Sequence, residues 1–188
     1  MNARRQAVIV VLAVLAAQSA TATQSPFESQ SAVTPPQSQI DPFLVGCSSW
    51  AFNRTIRVLA VPSPLQCPAL DYRSAFSRAV EVQVPGRRHL YISGTASIDE
   101  HGASVYRGDI DGQIRWTMAV VEAMLKSRNM TWNDNALRAV TYFKDLQVAP
   151  RFTAYCRSHG LSERMVTPVQ ATMCREELLF EIELDAAA

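Results

Sequence analysis

The chain has 188 residues with 18 Lys+Arg against 17 Asp+Glu, a formal charge of +1 that gives a polyanion no bulk electrostatic footprint to bind. At 48% hydrophobic and 19% charged it holds enough apolar material for a core, which excludes disorder throughout. The length suits one domain with an appendage, since domains usually hold roughly 100 to 150 residues.

At the N-terminus, Arg4 and Arg5 precede an unbroken apolar run from Ala7 to Ala17, and Ala20-Thr21-Ala22 supplies small residues for cleavage. This layout predicts a signal peptide over residues 1–22, hence a periplasmic or secreted protein if the signal is used and a cytoplasmic one otherwise. No permanent membrane anchor is expected, because the run falls short of the ~20 apolar residues a span needs. Arg4 and Arg5 are the only charges in this segment, so its removal takes the formal charge from +1 to −1.

Residues 23–69 read as a Pro/Gln/Ser-rich linker and arm. Residues 24–39 have linker composition. Residues 43–61 are more apolar, with Trp50, Phe52, Ile56, Val58 and Leu59, and are expected to dock as an irregular arm. The domain proper is expected over residues 70–188.

Its patterning begins with a strand at 79–84, where Val80, Val82 and Val84 alternate with Glu81 and Gln83 as on a strand with one buried face. Pro85-Gly86 turns into a second strand at 90–94, and a short third is expected at 104–106. Ile114, Met118, Val121 and Leu125 then mark one stripe of an amphipathic helix over 110–128, capped by Asp109 or Asp111. A strand at 137–143, a helix at 148–159 with Pro150 in its first turn and Gly160 at its stop, and strands at 166–173 and 178–184 complete the set. The order β-β-β-α-β-α-β-β predicts an α+β fold, a sheet with two helices packed on one face.

Chemistry concentrates in the last strand. Phe180, Ile182 and Leu184 should share one face and Glu181 and Glu183 the other, shortly after Cys174 and Arg175. The carboxylates are either a solvated sheet face or part of a cleft that also holds the thiol and the cation. His89, His101 and His159 are isolated and no Cys-x-x-Cys occurs, so neither a metal site nor a cofactor is expected. Cys47 and Cys67 are candidates for a disulfide in an exported chain.

Three strings together carry a resemblance: Tyr91-Ile92-Ser93-Gly94-Thr95-Ala96-Ser97, then Gly108-Asp109 with Gln113 and Thr117, then Cys174-Arg175-Glu176-Glu177-Leu178-Leu179-Phe180-Glu181-Ile182-Glu183. In order and spacing they resemble the Rid (YjgF-like) superfamily, and most closely the C-terminal domain of chorismatases, to which Phe76-Ser77-Arg78-Ala79 is also similar. The resemblance covers residues 72–186. It implies a chorismate-mutase-like α+β fold, a homotrimer with pockets between subunits, and a small carboxylate substrate. For chorismatases that substrate is chorismate, cleaved to pyruvate and a hydroxybenzoate or dihydrobenzoate. Chorismatases carry a further N-terminal domain, for which the residues before the match are too few and too irregular.

An enol ether breaks once its methylene carbon is protonated, so the site needs a carboxylic acid kept protonated near neutral pH by poorly solvated surroundings. Glu181 is the candidate acid. Arg175 matches the arginine that holds a substrate carboxylate in Rid proteins, through paired hydrogen bonds that Lys cannot reproduce. Cys174 matches a thiol of the chorismatases that form 3-hydroxybenzoate, and its neighbouring arginine is expected to favour the thiolate; a structural cysteine is the other reading. Ser93, Thr95 and Gln113 are candidate donors to the ring hydroxyl or a carboxylate, with turn and helix-start roles equally open. Tyr142, Tyr155 and Arg157 are candidate pocket walls. Two further functions fit the same residues: a Rid-type enamine/imine deaminase and a non-catalytic module that binds small carboxylates.

Overall fold

The computed structural model describes residues 56–188. The signal segment, the linker, most of the arm and Cys47 lie outside these residues. The strands are β1 (Arg57–Val61), β2 (Ala79–Val84), β3 (Arg87–Ala96), β4 (Ala136–Phe143), β5 (Val166–Gln170) and β6 (Phe180–Ala187). The helices are α1 (Ile110–Lys126), the single turn α2 (Trp132–Asn135) and α3 (Ala149–Ser158).

Six strands form one sheet in the order β1-β2-β3-β6-β4-β5. All its pairings are antiparallel except β4 with β5, which the α3 crossover joins in parallel. α1 packs on β3, β6 and α3, so both long helices cover one face. The expected α+β architecture is the one observed. The core between the layers joins Ile114, Val121 and Leu125 of α1 to Leu90, Ile92, Ile182 and Leu184 of the sheet, all buried. At one end Phe180 meets Phe143 and Phe152 at ring-centroid distances of 5.2 and 5.3 Å.

The helix starts and stops follow the chemistry of the termini. Asp109, rather than Asp111, caps α1 by accepting the Gly112 N–H at 2.9 Å. Gly160 takes φ +64° just beyond α3, a conformation that costs glycine little.

Three local expectations need correction. The end of the arm is not irregular: Arg57–Val61 is the edge strand β1, paired along its length with β2. Gln66, just beyond it, is buried and donates to the carbonyls of Ala96 and Ile98 at 2.9 and 2.8 Å, pinning the arm to the end of β3. The third strand at 104–106 is reduced to a single bridge between Ile98 and Ser104. Asp99 accepts the N–H groups of His101 and Ala103, and Tyr106 takes φ 54°, so this segment turns into the helix cap instead of extending.

The third correction concerns β2, whose faces are the reverse of those its valines suggest. Ala79 and Glu81 point toward the helices, while Val80, Val82 and Val84 lie half-buried on the other face. Glu81 is only 1% exposed. Arg88 and Arg128 approach one of its oxygens at 3.7 Å each, and Gln83 donates to the other. Pairing of this kind makes a buried carboxylate tolerable.

Candidate active site on the open sheet face

The centre of the sheet positions Glu181. Side chains alternate along β6, so Phe180, Ile182 and Leu184 enter the core while Glu181 and Glu183 emerge on the face without helices. The register sets Glu181 opposite Ala96 of β3 and Tyr142 of β4.

Strand β3 makes room for it. Between Ile92, paired with Leu184, and Thr95, paired with Ile182, β3 carries one residue more than β6, which is a β-bulge. Gly94 sits in that bulge, and a Cβ there would overlap Oε1 of Glu181. The missing side chain is the space the carboxyl group occupies. Burial by these neighbours, followed by the charge of Glu183, pushes the Glu181 pKa up to about 7.

Glu183 is held by Tyr142, whose hydroxyl donates to Oε2 at 2.9 Å. Burial first, then this bond to Glu183, pushes the Tyr142 pKa up to about 12, so the phenol remains a donor. Cys174 lies close enough to Glu181 to feel it. Cys174 is exposed, yet partial desolvation of the sulfur and then the Glu181 carboxylate raise the thiol pKa, and the opposing pull of Arg175 is smaller. The expected thiolate is therefore disfavoured, because desolvation of the sulfur, joined by the nearby carboxylate, outweighs the guanidinium.

Arg175 is partly committed to its own chain. Its Nη1 donates to Gly102 O at 2.8 Å and to Ser104 Oγ at 3.1 Å, and its guanidinium stands 5.2 Å from the centre of the Tyr72 ring. Of the residues expected at the site, Tyr142 and Cys174 lie close enough to Glu181 for its charge to act on them, while Arg175 adjoins Cys174 and turns its guanidinium toward Gly102, Ser104 and Tyr72.

The others serve the scaffold. Ser93 Oγ donates to Ser77 O at 2.7 Å and Thr95 Oγ1 to Ser93 O at 2.8 Å, so both hydroxyls build the bulge and Thr95 is fully buried. Gln113 is also fully buried, spending its amide on the carbonyls of Tyr106 and Glu177 and accepting the Leu179 N–H. It ties α1 to the segment that carries Cys174 and Arg175. Tyr155 and Arg157 lie on α3, across the sheet from Glu181: Tyr155 packs on Phe152 and His159, and Arg157 faces Glu163 at 3.7 Å. Within one chain they do not line the Glu181 face.

Two contributors escaped sequence reasoning. A glycine inside a strand pattern is a known sign of a bulge or close approach, and Gly94 carried that signal. Arg78 carried none. It is 4% exposed, with its guanidinium 5.2 and 5.4 Å from the ring centres of Tyr72 and Phe76. A separate cavity of about 210 Å³, lined by Asp99, Val105, Tyr106 and Trp116, includes none of these residues. The Glu181 cluster instead occupies an open sheet face, which leaves room for a second chain to close over it.

No protein-family model matches the chain, and no curated protein matches it in sequence. Solved structures do. A chorismatase superposes with a TM-score of 0.61 at 22% identity over 69% of this chain, which spans only 44% of the chorismatase. A member of the YjgF/YER057c/UK114 family from Mycobacterium tuberculosis gives 0.54 at 22% identity, over 70% of this chain and 100% of that one. The YjgF gene product of E. coli gives 0.55 at 16% identity, over 68% and 97%. The chain therefore has the Rid/YjgF-type fold, the fold that a chorismatase also contains.

Proposed function

We propose that this domain cleaves the enolpyruvyl ether of chorismate, releasing pyruvate and a hydroxybenzoate-type product, with Glu181 as general acid. The observation that carries this reading is the Glu181 carboxyl, raised to about 7 and seated in the space left by Gly94. A group with that pKa is substantially protonated at neutral pH and gives up its proton readily. It transfers the proton to the methylene carbon, water adds to the resulting oxocarbenium carbon, and the hemiketal collapses to pyruvate and a dihydroxylated cyclohexadiene carboxylate, from which loss of one water gives the hydroxybenzoate. The Glu181 carboxylate recovers its proton from the added water. Arg175, with Nη1 engaged, offers its remaining donors to a substrate carboxylate. Cys174 stands beside the acid as a neutral thiol and steers the product.

The test is incubation of the purified full chain with chorismate while pyruvate release is followed. Release that is abolished in Glu181→Gln is the expected result. No release from the wild type, alongside rapid hydrolysis of amino-acid-derived imines, would replace this reading with the second one.

That second reading is a Rid-type enamine/imine deaminase, in which Glu181 activates water. One observation favours it: the chain spans nearly the whole of the single-domain YjgF-type structures and less than half of the chorismatase. For either chemistry we propose a homotrimer, with the open sheet face meeting neighbouring copies and the substrate lying between chains.

A further inference from the structure

Arg78 immediately precedes β2, and its carbonyl accepts the Ser93 N–H at 3.0 Å. That bond fixes it beside the bulge that contains Gly94. Neighbouring strands lie about 4.8 Å apart, so Arg78 is roughly two strand spacings across the sheet from β6, and along β3 its partner Ser93 stands three residues before Ala96, which pairs with Glu181. Its side chain is almost fully buried, with Nε donating to Cys67 O at 3.0 Å. Its Nη2 is buried and makes no well-formed hydrogen bond among the described residues, where the Tyr72 hydroxyl is only a weak neighbour of the guanidinium. A buried guanidinium donor without an acceptor is costly, and an anionic oxygen is the acceptor that best relieves it.

The surroundings narrow the ligand. Arg78 and Arg175 each lie 5.2 Å from the centre of the Tyr72 ring, so twice that distance bounds their separation. Tyr72 and Phe76 are half-buried and keep part of their rings accessible. Two guanidiniums and two aromatic rings thus surround one small region, without a carboxylate hydrogen-bonded to either cation among the described residues.

We propose that Arg78 is a second carboxylate anchor, and that with Arg175 it makes the site selective for a cyclic, unsaturated dicarboxylate over a monocarboxylate. The proposal deepens the chorismate reading and rests on it for the location of the site, but it concerns binding and is scored without turnover. It also separates the two reactions, since an imine of a simple amino acid offers only one carboxylate to the pair.

The experiment is calorimetric titration of the full chain with benzene-1,3-dicarboxylate and with benzoate, for the wild type, Arg78→Lys and Arg78→Gln. The dicarboxylate should bind the wild type at least tenfold more tightly than benzoate, and both variants should cut that ratio to about two or less. A wild-type ratio near one overturns the proposal, whether the two probes bind equally or neither binds. So does a variant that melts like the wild type and keeps the full ratio.

Should both variants fail to fold, the guanidinium Nε–H resonances of the wild type decide. The dicarboxylate must shift two of them where benzoate shifts one, and a single shifted resonance for both probes overturns the proposal. Dicarboxylate selectivity without chorismate cleavage would sink the catalytic reading alone. Cleavage with an Arg78-independent ratio would sink this one alone.

Discussion

At the scale of single residues, the candidate site is a carboxyl group and the space made for it. Glu181 is raised from 4.5 to about 7, so the folded chain binds a proton there that the unfolded chain has already released. Folding stability should therefore be fully present below about pH 4.5, fall as the pH rises toward about 7, and level off above it. Each pH unit in that window is worth at most about 1.4 kcal/mol. Thermal melts across this range should show the decline, and Glu181→Gln should flatten it. Catalysis has the same sign, because the acid works only while protonated: the rate should drop as the pH passes about 7, and Glu181→Gln should lower kcat by at least about a hundredfold. Gly94→Ala tests the cavity. The added methyl collides with Oε1, and forcing a group into a filled space costs about 1–3 kcal/mol unless the carboxyl moves out. The expected outcome is a modest loss in melting temperature with a large loss in turnover, and unchanged turnover would show that the seat is not needed.

At the scale of elements, Gln113 connects the long helix to the segment that delivers Cys174 and Arg175. Gln113→Leu leaves the Leu179 N–H and the Glu177 carbonyl without partners, so a loss of roughly 2–4 kcal/mol is expected by chemical denaturation. Amide exchange at Leu179 should accelerate in the same variant. Gln113 also marks where the sequence was and was not legible. Its position in the resemblance drew attention to it, but a side chain with a donor and an acceptor serves a ligand or its own backbone equally well, and only the fold decides which. The Phe180–Leu184 alternation and the α1 stripe were readable because period-two and 3.6-residue patterns follow from burial on one face. The same rule misled at Ala79–Val84. There the apolar residues face away from the helices, and a carboxylate enters the core because Arg88, Arg128 and Gln83 meet it there. A partner such as Arg128, from beyond the end of α1, leaves no trace in local spacing, and the string that holds Arg78 gave no sign that its side chain is buried. Strand β1 was missed because a Pro/Ser-rich flank hides five residues whose pairing is supplied by β2.

At the scale of the whole molecule, the reversed faces of β2 leave apolar side chains on the uncovered side of the sheet. A sheet covered by helices on one side usually keeps polar residues on the other. Here the uncovered side carries Val58 beside Val82 and Ala60 beside Val80, with Tyr91 next in the same row. Ile56 and Val58 are 64% and 56% exposed, and Tyr91 is 44% exposed. A contiguous apolar row of this sort on a single chain argues for burial against another surface. The proposed homotrimer supplies one, and it would turn the open face around Glu181 into an enclosed pocket, removing the water that otherwise competes for the acid's proton. Charge placed in the row should undo this. Val58→Asp with Val82→Asp sets two carboxylates opposite each other on paired strands, and across an interface they would face their own copies. Sedimentation of the wild type should give three times the chain mass, and the double variant should sediment as a monomer with its fold retained by circular dichroism. The single chain already raises Glu181 to about 7 by its own burial, so the monomer should keep a melting decline that ends near pH 7, while closure by neighbouring chains should carry the decline of the wild type to higher pH. A double variant that stays trimeric, or a wild type that is monomeric, would remove the second chain from the site and leave Glu181 to work on an open sheet.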